Sequence, residues 1–130
     1  MKFVVYRAKM NNETDISKSQ VLAIAIFNLA EQLQLQEFEL ALVLDLSKAE
    51  LSSIINQKEL EPDTTAGKRA ITLINIYQAL FSLTGGDLSW MRQFINSPNK
   101  LLDEQTPRSL IQTEHGLSAV LRLLGRLQPH

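Results

Sequence analysis

Glu37–Phe38–Glu39–Leu40–Ala41–Leu42–Val43–Leu44–Asp45–Leu46–Ser47–Lys48–Ala49–Glu50–Leu51–Ser52–Ser53–Ile54 is the stretch on which the reading of this chain turns. Two short helices that cross tightly need a small residue at the crossing, and Ala41 supplies it. Four residues later the chain must turn through left-handed backbone. Glycine does this best, and Asp45 is an acceptable substitute. Leu46 follows as the buried apolar residue of the turn. Ser47, with Glu50 three residues on, has the spacing of a capping box and starts the second helix. Leu40 and Leu44 form the inner face of the first helix, and Leu51 and Ile54 that of the second. The pattern is that of a helix-turn-helix, although any tight helix pair shares some of these demands.

In a helix-turn-helix that reads DNA, the first turns of the second helix meet base edges in the major groove. Its outward residues would be Ser47, Lys48, Ala49, Ser52 and Ser53, followed by Asn56, Gln57 and Lys58. Lys48, Lys58, Lys68 and Arg69 are the candidates for phosphate contact. No arginine, the strongest reader of guanine, lies among the base-facing positions. Residues 1–70 hold eight Lys/Arg and ten Asp/Glu, a net of −2. Two readings therefore stay open: a helix-turn-helix that binds DNA, and one kept only for packing or dimerisation.

The flanking sequence reads as further helices. Ser17 and Gln20 form a second capping-box pair, so a helix is predicted from about 18 to 34. Its apolar residues surround it, which makes it a central core helix or, in part, a dimer interface. Helices are expected at 36–44, with Phe38 inward, and at 48–57. A long helix at 65–84 is apolar nearly all round and is stopped by Gly85–Gly86. Asp87 caps a helix over 88–96, which Ser97–Pro98–Asn99 stops. Thr106–Pro107 is a cap and first-turn pair that opens a short helix over 107–112. A last helix at 116–127 buries Leu117, Val120, Leu121, Leu124 and Leu127. Residues 1–15 are expected to be a flexible amino-terminal segment. Phe3 to Tyr6 have strand character there, but no partner strand is evident. The fold class is all-α: a helix-turn-helix and dimerisation domain at 16–84, then a small helical module at 85–130.

Composition removes several function classes. The 130 residues are 45% apolar and 21% charged, with a net charge of −1, which suits a globular chain and not a nonspecific nucleic-acid coat. The chain has no cysteine and only two histidines, His115 and His130. Thiolate zinc sites, iron–sulfur clusters, cysteine nucleophiles and histidine-rich metal sites are excluded. The run Val21–Phe27 is too short to span a bilayer, and the amino end lacks the apolar stretch of a signal peptide. A cytoplasmic protein without membrane contact is expected.

No catalytic arrangement is legible. His115 has no evident serine–acid partner. Asp103–Glu104 read as two solvated charges in a loop, and Gly85–Gly86 lacks the lysine of a phosphate loop. No catalytic residue, cofactor or metal is predicted, and the chain is not expected to be an enzyme.

From Trp90 onward the sequence is more distinctive. It carries Trp90, then Pro98–Asn99 and Leu101–Leu102, then Thr106–Pro107, Leu110, Thr113–Glu114–His115–Gly116, and a helix with Val120 and Leu124. By packing logic alone these residues build the module. Trp90 reads as core, Pro98–Asn99 as a helix stop, and Gly116 as a place of close approach or unusual backbone. Together they resemble the antitoxins of the Xre/MbcA/ParS type, in which a helix-turn-helix precedes a carboxy-terminal toxin-binding domain. About 90 residues are covered. Where that family has a glycine pair before the Thr-Pro, this chain has Asp103–Glu104. Where members often continue through another glycine, it reads Gln128–Pro129–His130.

The resemblance implies an antitoxin of a type II toxin–antitoxin system. Its partner would be a RES-domain toxin that consumes or transfers parts of NAD, blocked sterically at its substrate entrance. The helix-turn-helix would bind the operon's operator as a homodimer and so autoregulate it. Asn99, Lys100, Arg108, Arg122, Arg126 and His130, the polar groups around the motif, are the candidate toxin contacts. The alternative function is a stand-alone helix-turn-helix transcription regulator without a toxin partner.

Overall fold

The structure is a computed structural model, and it describes residues 17–128. The expectations for residues 1–15 and for His130 lie outside that range. Among the described residues the fold is all-α. Seven helices follow in order: α1 (Lys18–Gln32), α2 (Glu37–Leu44), α3 (Lys48–Gln57), α4 (Thr65–Thr84), α5 (Leu88–Asn96), α6 (Pro107–Leu110) and α7 (Glu114–Leu127). A 3-10 turn, Lys100–Leu102, lies between α5 and α6. No described helix is long and apolar enough to cross a membrane.

Local chemistry starts nearly every helix. Ser17 Oγ accepts the backbone N–H of Gln20 at 3.2 Å, and Gln20 Oε1 accepts that of Ser17 at 3.0 Å. Ser47 and Glu50 make the same exchange at 3.1 and 2.8 Å. Thr64, Asp87, Thr106 and Thr113 cap α4, α5, α6 and α7 through their side-chain oxygens. Each cap satisfies amide donors that the first helical turn leaves without partners. At the far end of α4, Gly85 and Gly86 both take positive φ, 66° and 82°, as the glycine pair predicts.

α4 is the axis of the bundle, with α7, α1 and α2 packed along it. Its Ala70, Leu73, Ile76 and Leu80 meet Ile26 of α1, Leu33 just after it, Val43 and Leu44 of α2, and Leu117, Val120 and Leu124 of α7 in one continuous core. The core is not interrupted at residue 84. Gly67 and Gly116 permit two of the closest approaches. A Cβ at either would lie 2.0 Å from a backbone carbonyl oxygen, that of Glu61 or of Leu110.

Several expected details are corrected. α1 stops at Gln32, because Gln34 turns into the left-handed region at φ 61°. Phe38 is 61% exposed. It stands about 200° around the helix from Leu40, whose side faces the core. Glu39 is buried in its place. Trp90 is 65% exposed, because Met91 and Ile95 take the inward face of α5. Leu127 is also exposed, on the last turn of α7. α4 is not covered on every side, since Ile71 and Phe81 reach solvent. α6 ends at Leu110 rather than 112, and α7 begins at Glu114 rather than 116.

Candidate functional site

The α2–α3 corner has the geometry its sequence demands. Asp45 ends α2 at φ 59° and ψ 48°, and its N–H reaches back to the carbonyls of Ala41 and Leu42. Leu46 N–H bonds to Ala41 O at 2.9 Å, which closes the turn. Ala41 is buried at the crossing, and Leu51 is buried beneath α3. Lys48, Ala49, Ser53, Asn56, Gln57 and Lys58 face solvent, and Ser52 is half-buried beside them.

Two of the proposed DNA contacts have other duties. Ser47 spends its hydroxyl oxygen on the cap. Arg69 is half-buried and donates its Nε–H to Val43 O at 2.7 Å. Lys58 takes left-handed backbone (φ 59°) as the C-cap of α3, while Lys68 is exposed on α4. Along one flank of α3, Asp45, Glu50, Glu59 and Glu61 line a depression of about 490 Å³. That flank repels phosphate, so a DNA backbone would have to run past Lys48 and Lys68 on other sides.

A second site was not foreseen. Arg108 of α6 grips α2 and the turn before it. Its Nε–H and one Nη2–H donate to the two carboxylate oxygens of Glu39, each at 2.7 Å. Nη2 also reaches Gln34 O at 2.7 Å, and Nη1 reaches Asn96 Oδ1 at 3.1 Å. Planar two-point pairing is the strongest way to join a guanidinium to a carboxylate. Glu39 accepts in addition the backbone N–H of Gln36 at 2.9 Å, which tightens the start of α2. The hydrogen bonds from Arg108 hold the Glu39 carboxyl below the usual glutamate range, against burial, which pushes it up. Glu39 in turn raises Arg108. Arg92 of α5 makes a parallel tie, donating Nε–H to Gln32 O at 2.8 Å. Tyr77 of α4 donates its hydroxyl to the Gln32 side chain, and burial raises that hydroxyl's pKa. Three side chains thus converge on the α1–α2 turn. The partners lie 45 to 74 residues apart in sequence, and no local pattern announces them.

The carboxy-terminal motif residues build a compact loop. Asn99 Oδ1 accepts Leu101 N–H at 2.8 Å, and its backbone pairs with Gln105 in an isolated bridge. Asp103 and Glu104 both sit at positive φ, 56° and 66°. These are backbone angles that glycine adopts freely and that a Cβ resists. Thr113 Oγ1 accepts Gly116 N–H at 3.0 Å, which starts α7 where Gly116 passes Leu110 O. Of the candidate toxin contacts, Arg108 is committed to Glu39 and Asn99 to its loop. Lys100, Arg122 and Arg126 point outward.

The fold therefore defines an all-α protein with a tight α2–α3 corner and a capped, loop-bearing carboxy-terminal segment. Residues 79–128 match the family model of the antitoxin Xre/MbcA/ParS C-terminal toxin-binding domain. The matched segment takes in the end of α4 as well as all that follows. The match supports the role of an antitoxin in a toxin–antitoxin system, with a toxin as partner. A search of curated proteins found no match.

Proposed function

We propose that this chain neutralises a RES-domain, NAD-consuming toxin by covering the toxin's substrate entrance. We also propose that it binds its operator as a homodimer through α3 and so controls its own expression in the cytoplasm. The match of residues 79–128 to a toxin-binding domain carries the reading. The left-handed Asp45, the Ser47 cap and the solvent-facing Lys48, Ala49 and Ser53 support the DNA-binding half. Inhibition by cover needs shape and affinity only, and no group on the chain has to do chemistry.

One double variant tests both halves at once. Lys48→Glu with Ser52→Glu places two carboxylates where α3 would enter the major groove. Operator binding, measured by gel shift against salt, is expected to be lost, while rescue of cells expressing the neighbouring toxin gene persists. Unchanged operator affinity would refute the placement of α3. Failure of the unaltered chain to rescue growth would refute the antitoxin reading and leave a transcription regulator.

A further inference from the structure

The thirty residues from Ala70 to Asn99 contain two charged side chains, Asp87 and Arg92, in a chain that is 21% charged. Both are engaged. Asp87 Oδ1 accepts the N–H groups of Ser89 and Trp90, and Arg92 is tied to Gln32 O. The surface made by the end of α4 and by α5 is consequently poor in charge, with one carboxylate and one guanidinium, each fixed by a backbone contact. It does offer two large aromatic side chains, Phe81 at 49% and Trp90 at 65% exposure. Phe81 is held in place, since its ring lies against Gly86, where a Cβ would fall 2.8 Å from it. Trp90 stands one turn of chain beyond that glycine, on the outer side of α5. Ser82, Ser89 and Gln93 of the same two helices are exposed and uncharged.

Protein interfaces have this composition at their centres: charge is depleted, aromatic side chains are enriched, and neutral polar groups form the edge. Tryptophan is among the residues most often found as interface anchors. A DNA backbone is an unsuitable occupant, because the one cation of the surface, Arg92, is half-buried and turned to Gln32 O. Both aromatic residues lie within 79–128, the segment that matches a toxin-binding domain. We propose that the Phe81–Trp90 corner is the anchor of the toxin interface, and that it seats against an apolar, uncharged patch of the toxin. The proposal rests on the antitoxin reading and adds to it where the binding energy is concentrated. It also removes that burden from the arginines of α7, which would steer the encounter and shape the rim.

The test compares the full chain with its Trp90→Ala and Trp90→Glu variants in calorimetric titration against the purified RES-domain toxin encoded beside it. Trp90 is outside the core, so both variants should melt like the parent. Trp90→Ala is expected to weaken the complex by roughly 30-fold or more, and Trp90→Glu further. Toxin affinity within twofold of the parent in both variants would overturn the proposal. So would a dimer that falls to monomer in sedimentation while toxin affinity is kept, because the corner would then belong to a second copy. If the unaltered chain itself fails to bind the toxin, the antitoxin reading falls, and this proposal with it.

Discussion

The outward face of α3 and the outward face of the α4–α5 corner belong to one bundle but differ in chemistry. The first is polar and crowded with charge: Lys48 and Lys58 stand out, but Asp45, Glu50, Glu59 and Glu61 flank them. The second has aromatic rings and few charges. A charged, mixed face can read a polyelectrolyte only where its cations are local and well placed. An uncharged aromatic face gains by leaving water for another protein. The difference teaches that one core can carry two surfaces of unlike chemistry. Arg108 adds a polar tie to that core: it comes from the matched segment and closes on Glu39 of α2.

Breaking that tie has the largest expected effect. Arg108→Ala leaves the Glu39 carboxylate mostly buried with one backbone partner and frees Gln34 O. It should cost about 2–3 kcal/mol in urea unfolding, less than a fully buried pair because Arg108 keeps some contact with solvent. Arg108→Lys should recover only part of this, since an ammonium cannot pair with both carboxylate oxygens in one plane. A loss under about 0.5 kcal/mol would mean that the two faces are held together by the core alone.

Acid sharpens the same comparison. The native carboxyl of Glu39 lies below its ordinary value of about 4.5, so the unfolded chain takes up its proton first as pH falls. Its contribution to stability is complete above that ordinary value. It disappears as pH drops through the lower, native one. A plot of unfolding free energy against pH should fall more steeply over this range in the parent than in Arg108→Ala. Parallel curves would deny the pair its role.

The smallest effect is expected in the loop before α6. Asp103 and Glu104 hold left-handed angles that the family fills with a glycine pair. Relief of backbone strain is offset in part by the greater freedom of glycine in the unfolded chain. Glu104→Gly should therefore stabilise by about 0.5–1 kcal/mol. Asp103→Gly should be close to neutral, because aspartate tolerates left-handed backbone better. Thermal melts of the two variants would separate the residues, and a loss of stability in Glu104→Gly would show that its side chain is needed.

Most helix boundaries were legible because they depend on contacts within three residues. Ser17 with Gln20, Ser47 with Glu50, Asp87 and Thr106–Pro107 each carry their own cap, and Asp45 announces its turn by its place after Leu44. The side a helix shows to solvent was less legible. Trp90 and Phe38 were expected inside because size and apolarity favour burial. Their direction depends on where α5 and α2 meet α4 and α1, which no local pattern encodes. The tie that Arg108 makes to Glu39 is illegible in the sequence for a related reason. Its carboxylate is 69 residues away, and only the folded chain brings the two together. The carboxy-terminal motif was legible as a family pattern before its physical causes were. The structure then supplied them: Thr113 caps α7, Asn99 closes the loop, and Gly116 makes room for Leu110 O.

Inhibition by cover, as proposed, asks no chemistry of the chain. The most direct measurement is the rate of NAD consumption by the purified RES-domain toxin as the chain is titrated into it. Consumption should fall to the blank near a stoichiometric amount of chain, and the chain alone should consume nothing. A toxin that keeps its full rate in excess chain, or NAD turnover by the chain itself, would contradict it.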